Sequence, residues 1–282
     1  AANELVIAWQ GGEPTLAGEA KSPSFLAIGR KQRFLYAVGQ LTSFEGKRSG
    51  AVSAFAIDAG SGKLALLNQQ PSGGVGPCHV SLDADDRHVL VANYGSGSVA
   101  ALPVEADGRL ASPSAIAQHE GRGPNEKRQD GPQAHFFAVD PSGRFALAPD
   151  LGIDRVLIYR LGADDGSLAP NDPDAAELEP GAGPRHLDFH PSGKYLYVIN
   201  ELTCGVTVFA WDARRGRTQA IQTRSTLPPG FNEPNTCAEI RVHPSGRFVY
   251  GSNRGHDSIA MYAVDPETGA LSTPGHEPTQ GR

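Results

Sequence analysis

Four side chains that can bind and activate a small anion lie beside apolar segments of this 282-residue chain: His135, Arg185, Glu201 and Arg254. The planar fork of an Arg binds carboxylate or phosphate through two parallel hydrogen bonds, so Arg185 and Arg254 suit an anionic ligand. Glu201 or His135 could take a proton from a water that attacks an ester carbonyl. An Arg facing that carbonyl would stabilise the oxyanion. The residue types therefore predict hydrolysis of an anionic ester, provided that the fold brings them together.

Other kinds of chemistry lack their motifs. The sequence has no Gly-x-Ser-x-Gly segment for a Ser nucleophile and no His-Glu-x-x-His or paired-Cys signature for zinc. The Gly-rich residues 94–98 join two apolar segments, as a hairpin turn does. The residue types leave open a metal ion bound by Glu201 and Asp150, but we predict no metal site and no cofactor. We interpret the three cysteines as buried or free thiols, because none forms a C-x-x-C pair: Cys78, Cys204 and Cys237.

A repeated hairpin must position the four side chains. Residues 131–150 contain an apolar strand, a tight turn at Asp140-Pro-Ser-Gly143 and a second apolar strand, with His135 at the mouth of the first strand. The same pattern returns at residues 183–200 and 236–253. Turns of this kind favour Asp, Pro, Ser and Gly, while Val, Ile, Phe and Tyr favour strands.

The repeat has a period that identifies the architecture. Five hairpin turns lie 50 to 57 residues apart, at Gln32, Asp86, Gly143, Gly193 and Gly246. Each is followed by another apolar strand, a polar turn and a Gly-x-Leu segment, as in residues 54–64 and 157–168. Four strands at a period slightly above roughly 40–50 residues indicate the blades of a β-propeller, in which a single blade cannot bury both its faces.

We therefore predict an all-β propeller of four-stranded blades, in a single domain over residues 1–282. About five full blades are visible, and residues 5–9 with 11–16 read as the outer hairpin of a partial N-terminal blade. The chain stops at Arg282, where another inner strand is expected to begin, so we expect part of the ring to be missing from it. Long loops at residues 119–132, 172–184 and 227–236 are the expected places for function.

Each candidate residue also has a purely structural explanation. A His at a strand start can serve the backbone as a hydrogen-bond partner, and Arg185 could be a surface charge or a turn cap. Glu201 could be half of an ion pair between blades. The polar run at residues 252–258, which holds Arg254, is harder to explain in this way. His190 and His243 fill the slot that Asp140 fills in its own turn, so we assign them a structural role.

Composition and charge restrict the partners and the cellular location that we expect for this chain. The formal net charge of -6 argues against non-specific nucleic-acid binding, which needs a basic surface. No apolar run approaches the roughly 18 residues of a membrane span. Residues 1–5 lack the features of a signal peptide, and no initiator Met is present, so we expect an N-terminal piece to have been removed or left out. We predict a cytoplasmic location, or a periplasmic one if a signal peptide was removed. The oligomeric state is not readable from the sequence.

Several segments together resemble the lactonase-type seven-bladed propellers, a family that includes bacterial 6-phosphogluconolactonases of the propeller kind and fungal carboxy-muconate cyclases. The resemblance spans nearly the whole chain and rests on residues 123–129 with 132–135, 148–152, 183–186, 200–202, 235–239 and 252–259.

The resemblance implies a pocket formed by His135, Arg185, Glu201 and Arg254. It also suggests His79 and Asp150 as neighbours of the substrate, and we add His186 and His256, which lie next to the pocket arginines in the sequence. One departure is Gln133, where relatives often carry a His.

The implied activity is hydrolysis of a sugar lactone, first of all 6-phosphogluconolactone, on a small anionic substrate. The alternatives are cycloisomerisation of a muconate-like diacid and a propeller that only binds a partner.

Overall fold

The fold consists of strands and turns. The computed structural model describes residues 4–7 and 15–280, and within these ranges it contains 22 strands and no helix. The part of the chain that the structure describes accordingly holds no helix that could cross a membrane.

Five sheets have four strands each, and consecutive strands are neighbours in every sheet. The first is β3 (Pro23–Ile28), β4 (Phe34–Gly39), β5 (Ala51–Ile57) and β6 (Leu64–Pro71). The second is β7 (Pro77–Leu82), β8 (His88–Asn93), β9 (Ser98–Pro103) and β10 (Ala115–Gln118). The third is β11 (Ala138–Val139), β12 (Phe145–Asp150), β13 (Arg155–Leu161) and β14 (Leu168–Glu177).

The fourth sheet is β15 (Pro184–Phe189), β16 (Tyr195–Asn200), β17 (Gly205–Asp212) and β18 (Arg217–Ser225), and the fifth is β19 (Thr236–Val242), β20 (Phe248–Arg254), β21 (Ser258–Ala263) and β22 (Gly275–Pro278). These five meanders are the blades that the repeat predicted, so the all-β propeller class is confirmed. Antiparallel pairing of β1 (Glu4–Ile7) with β2 (Thr15–Glu19) also confirms an N-terminal hairpin. The rest of that predicted hairpin, residues 8–9 and 11–14, lies outside the described residues.

The chain divides into two compact units. The first comprises residues 1–119, 133–139 and 160–169, and the second comprises residues 120–132, 140–159 and 170–282. The first has a core around fully buried aliphatic and aromatic side chains of β4, β5, β8 and β9, among them Tyr36 and Leu102. The second has its own core in the fourth and fifth blades, which includes Tyr197 and Ile240.

The repeated turns are held by their first side chain. Asp140 Oδ1 accepts hydrogen bonds from the backbone N–H groups of Arg144 and Phe145, at 3.2 and 3.1 Å. Its Oδ2 accepts a 3.2 Å bond from the indole N–H of Trp211. In two other turns the Nδ1 atoms of His190 and His243 each accept a 3.1 Å bond from the N–H of the Ser two residues on. The structural role predicted for these two histidines is confirmed.

A β-bulge recurs near the start of the first strand of a blade. The pairing shifts between Pro77 and His79 against β8, and between Pro184 and His186 against β16, so that Cys78 and Arg185 are the bulged residues. Ser24 is bulged in the first blade, and the fifth blade shifts between Cys237 and Ile240. Because a bulge bends its strand locally and re-aims the extra side chain, the same backbone feature presents a different residue in each of these four blades.

The sequence predicted that His135 lies at the mouth of a strand, but the structure places it before the strand begins. Strand β11 covers only Ala138 and Val139, so two residues of irregular backbone, Phe136 and Phe137, separate it from His135. The backbone before Ala138 is shaped by contacts with the second blade instead, since Phe137 N–H donates to His79 Nδ1 at 3.3 Å and Phe137 O accepts from Ser81 Oγ at 2.7 Å.

Asp140→Ala should lower the free energy of unfolding by about 2–4 kcal/mol, because it leaves two backbone N–H groups and the buried Trp211 N–H without their acceptor. Urea unfolding followed by Trp fluorescence measures this. The matched control is Asp265→Ala, which removes an exposed turn carboxylate that accepts from Glu267 and Thr268 N–H, and should lower the free energy of unfolding much less than Asp140→Ala does. Equal losses in the two variants would contradict the assigned role of Asp140.

Candidate functional site

Glu201 lies at the centre of a cluster of guanidinium groups in the second unit. It follows the last residue of β16, and only 7% of its side chain is exposed. Oε1 lies 2.5 Å from Nη2 of Arg128. Oε2 lies 3.0 Å from Nε of Arg185 and 3.0 Å from Nη2 of Arg254. The structure thus brings together three of the four residues that the sequence proposed, and adds a third arginine.

Backbone geometry positions two of the arginines. Arg185 is the bulged residue of β15, and its Nη1 also donates to Ala238 O at 2.8 Å. Arg254 ends β20, directly after the residue that pairs with Cys237, and its Nη2 donates to Cys237 O at 2.7 Å. Glu201 N–H donates to Gly183 O at 2.7 Å, which fixes the carboxylate relative to the start of β15.

Arg128 reaches the cluster from the long loop at residues 120–132. The residue after it is anchored, because Gln129 is fully buried and its Nε2 donates to Leu151 O at 2.9 Å and to Asp154 Oδ1 at 2.7 Å. The loop also closes on itself, since Gln129 N–H donates to Asn125 O at 2.7 Å. Sequence reasoning predicted function in this loop and used residues 123–129 for the resemblance, but it did not identify Arg128.

The cluster carries excess positive charge. Burial alone pushes the pKa of Glu201 upward, but the hydrogen bond from Arg128 and the charges of Arg254 and Arg185 outweigh it and hold the pKa below its usual value. The carboxylate is therefore ionised at neutral pH. Three guanidinium groups against one carboxylate leave a net charge of about +2, which favours an anionic ligand.

His186 and His256 make contacts of other kinds. His186 is buried, and its Nδ1 lies 3.1 Å from Glu239 Oε2. His256 Nδ1 lies 2.6 Å from Ser258 Oγ, and its ring packs edge-on against Phe231 with centroids 4.8 Å apart. Their predicted contacts with substrate stay predictions.

His135 and His79 belong to the first unit. His135 Nδ1 lies 3.7 Å from the thiol of Cys78, and the ring packs edge-on against Tyr94 with centroids 5.3 Å apart. His79 is buried, with Phe25 and Phe136 at centroid distances of 4.4 and 4.1 Å. The roles of both residues stay predictions.

Gln133, the departure from the family pattern, has a defined position. Its Oε1 accepts a 2.8 Å hydrogen bond from the hydroxyl of Tyr94, the same residue that packs against His135. The amide at this position is therefore linked to the surroundings of His135 through Tyr94.

Asp150 is fully buried and accepts a 2.9 Å bond from Gly152 N–H, which is the role of a turn residue. Within residues 4–7 and 15–280, no group of three or more His, Cys, Asp or Glu is arranged to hold a metal ion. The predicted contact of Asp150 with the substrate stays a prediction.

Two thiols lie directly behind the arginine cluster. Cys204 and Cys237 are buried and free, as predicted, and Cys237 N–H donates to Glu201 O at 3.1 Å. A hydrogen bond from Cys237 lowers the pKa of Cys204 to about 6, while the same contact and burial raise the pKa of Cys237. The third cysteine, Cys78, is partly exposed, and its thiol donates to His135 O at 3.5 Å.

Comparison with known proteins places this geometry in a family. Residues 12–282 match the family model described as "Lactonase, 7-bladed beta-propeller". The chain is 39% identical over 269 residues to a 6-phosphogluconolactonase of Bacillus subtilis, covering 95% of this chain and 74% of the relative. It is 31% identical over 278 residues to a 6-phosphogluconolactonase of Formosa agariphila, covering 96% and 76%.

A solved structure gives the same assignment. The periplasmic gluconolactonase of Pseudomonas aeruginosa superimposes with a TM-score of 0.89 at 31% identity, over 99% of this chain and 79% of that one. The chain therefore belongs to the seven-bladed β-propeller family of lactonases, hydrolases that open cyclic esters, as the resemblance of its motifs implied.

Proposed function

We propose that this chain hydrolyses an anionic sugar lactone, with 6-phosphogluconolactone as the first candidate. The observation that carries the proposal is the cluster of Arg128, Arg185 and Arg254 around one buried carboxylate, whose excess positive charge suits a phosphorylated or otherwise anionic lactone. The names of two relatives, from Bacillus subtilis and Formosa agariphila, support the same substrate.

The proposed reaction adds one water across the ring ester. Water attacks the lactone carbonyl, the C–O bond to the ring oxygen breaks, and the ring oxygen leaves as a hydroxyl after taking a proton. Arg185 and Arg254 hold the negatively charged oxygen that develops on the carbonyl carbon. Donors that are fixed before the reaction are effective in this role, because they need not reorganise as charge develops.

The two predicted candidates for the proton acceptor are His135 and Glu201, and the surroundings of Glu201 make its carboxylate the weaker one. The low pKa of Glu201 makes its carboxylate a weak base, and its oxygens lie in ion pairs with three guanidinium groups. We assign Glu201 instead to holding those groups in place. An imidazole is the side chain suited to accept a proton near neutral pH.

Two other functions, cycloisomerisation of a diacid and binding without turnover, can be tested against lactone hydrolysis. A muconate-like diacid would also suit the arginine cluster, and cycloisomerisation would need one group to move a proton. A propeller that only binds a partner would use the same charges without turnover. We expect the cytoplasm for a phosphorylated substrate, with the periplasm as the alternative, because one structural relative is named as periplasmic.

Arg185→Ala and Arg254→Ala should each lower kcat/KM for 6-phosphogluconolactone by about 100- to 1,000-fold, because each removes a charged donor from the developing oxyanion. Steady-state hydrolysis followed by acid release measures this. Arg217→Ala is the matched control: Arg217 begins β18 and contacts Asp172, and its loss should change kcat/KM by less than about twofold.

Unchanged turnover in both site variants would remove the arginines from the mechanism. A panel with a muconate-type diacid separates the two enzyme hypotheses, and an absence of turnover on every member, with anion binding retained, would support the scaffold.

The pH profile should distinguish the two candidate bases. If His135 accepts the proton, kcat/KM falls as the pH drops through the range in which imidazoles titrate, and His135→Ala loses about 100- to 10,000-fold. Since the pKa of Glu201 is lowered, a Glu201 base would stay ionised and active in mild acid and lose activity only below the usual range of a Glu carboxyl. Full activity of wild type at pH 5 would thus overturn the assignment to His135.

A further inference from the structure

Two buried thiols of the second unit are in direct contact. Cys204 and Cys237 are 6% and 0% exposed, and a hydrogen bond joins their side chains. They come from different blades, since Cys204 ends the turn after β16 in the fourth blade and Cys237 lies in β19 of the fifth. Two free thiols that already touch can form a disulfide without a large rearrangement of the fold.

The pair lies in the core of the fourth and fifth blades, but polar side chains line it. Asn235 Nδ2 lies 3.2 Å from Cys204 Sγ. The hydroxyl of Thr226 lies 3.1 Å from Cys237 Sγ. Asn253 Oδ1 links the two sides, because it accepts from Asn235 at 3.1 Å and from Thr226 at 2.7 Å. A cysteine that only fills space packs among apolar groups, whereas an amide donor at the sulfur stabilises a thiolate.

Cys204 is the more reactive of the two thiols. Hydrogen bonds from Cys237 and Asn235 lower the pKa of Cys204 to about 6. At neutral pH its side chain is therefore largely a thiolate, the form that attacks an oxidant. The same hydrogen bond and burial raise the pKa of Cys237, which remains a thiol. A reactive thiolate beside a second thiol is the arrangement found in redox-sensing cysteines.

Backbone atoms connect the pair to the arginine cluster. Cys237 N–H donates to Glu201 O at 3.1 Å, and Cys237 O accepts from Arg254 Nη2 at 2.7 Å. Cys204 ends the four-residue turn that begins at Glu201. A covalent S–S bond is shorter than a contact between two thiols, so the sulfurs must approach when it forms. That approach moves the turn of Glu201, the backbone that holds Arg254, or both.

We propose that Cys204 and Cys237 form a reversible disulfide that lowers the activity of the arginine cluster under oxidising conditions. The effect on activity rests on the proposed lactone hydrolysis, whereas formation of the disulfide does not. The oxidant is a small hydroperoxide such as hydrogen peroxide, because the burial of both sulfurs favours a molecule little larger than water.

The oxidation proceeds in two steps. The thiolate of Cys204 attacks one peroxide oxygen and the O–O bond breaks, which gives a sulfenic acid and a hydroxide that takes a proton to become water. The sulfur of Cys237 then attacks the sulfur of Cys204 and loses its proton, while the S–O bond breaks and a second water leaves. Two thiols are thereby oxidised and one peroxide is reduced, and a dithiol such as dithiothreitol reverses the change by thiol–disulfide exchange.

Thiol counting and peptide mapping test the disulfide without any measurement of activity. Cys78→Ser is the background, because it removes the one cysteine outside the pair. After treatment with hydrogen peroxide it should lose both remaining thiols, recover them with dithiothreitol, and yield two peptides linked through residues 204 and 237. Cys204→Ala and Cys237→Ala in the same background should yield no link. Wild type should form the same link, so the map decides the question even if a variant does not fold.

The effect on the site is measured as kcat/KM for 6-phosphogluconolactone before and after oxidation of the same protein. In Cys78→Ser, oxidation should lower kcat/KM by about tenfold, and dithiothreitol should restore it. In Cys204→Ala and Cys237→Ala of that background, oxidation should change kcat/KM by less than about twofold, because the bond cannot form. Thermal melting of the reduced proteins establishes that the variants are folded.

Free thiols at both positions after treatment, or a sulfinic acid at Cys204 with Cys237 still free, would overturn the disulfide. A disulfide that leaves kcat/KM unchanged would overturn its control of the site. Absence of lactone turnover in the reduced protein would overturn the proposed hydrolysis alone, and titration calorimetry with 6-phosphogluconate would then take its place. Weaker binding after oxidation would uphold control of the arginine cluster, and equal binding would overturn it.

Discussion

The ion cluster on Glu201 is the interaction on which the site depends. A carboxylate that is 7% exposed would be costly to keep ionised without partners, and three guanidinium groups supply them. The dependence is mutual, because the three guanidinium groups repel one another at these distances and the negative charge of the carboxylate between them offsets that repulsion. We therefore propose that Glu201 holds the arginines in place and is not the reacting base.

Blade repetition supplies the positions, while the side chains supply the chemistry. The residue after the second strand is Tyr94 in the second blade and Glu201 in the fourth, and Arg254 ends that strand in the fifth. Each of these follows an Asn that is buried, at positions 93, 200 and 253. At the opposite ends of the second strands of the fourth and fifth blades, the turns share a hydrogen bond from a Ser N–H to the Nδ1 of His190 or His243. The turns and buried Asn residues that the blades share thus serve stability, whereas the residues that differ between blades are the candidates for function.

Much of this could be predicted from the sequence, because its signals are local. The Pro-Ser-Gly turns and their spacing identified the blades, and Arg185, Glu201 and Arg254 were recognisable at the ends of apolar strands. Arg128 was missed because its loop is longer than the corresponding loops before β7, β15 and β19, so no repeat aligned a residue with it. The bulge at Arg185 depends on pairing with β16, which periodicity does not show. The strand predicted to begin at His135 does not form there for a related reason. The backbone of Phe137 makes hydrogen bonds with His79 and Ser81, and these outweigh the preference of the apolar residues for a strand.

The recurring bulge has a consequence for engineering. Its extra residue lies outside the regular ladder pairing, so the side chain there is re-aimed away from the regular alternation of the strand. The bulge position that Arg185 occupies in the fourth blade is occupied in other blades by Ser24, by Cys78 and by the shifted pair Ala238 and Glu239. A library confined to these positions would vary the recognition chemistry of the propeller while leaving its architecture in place.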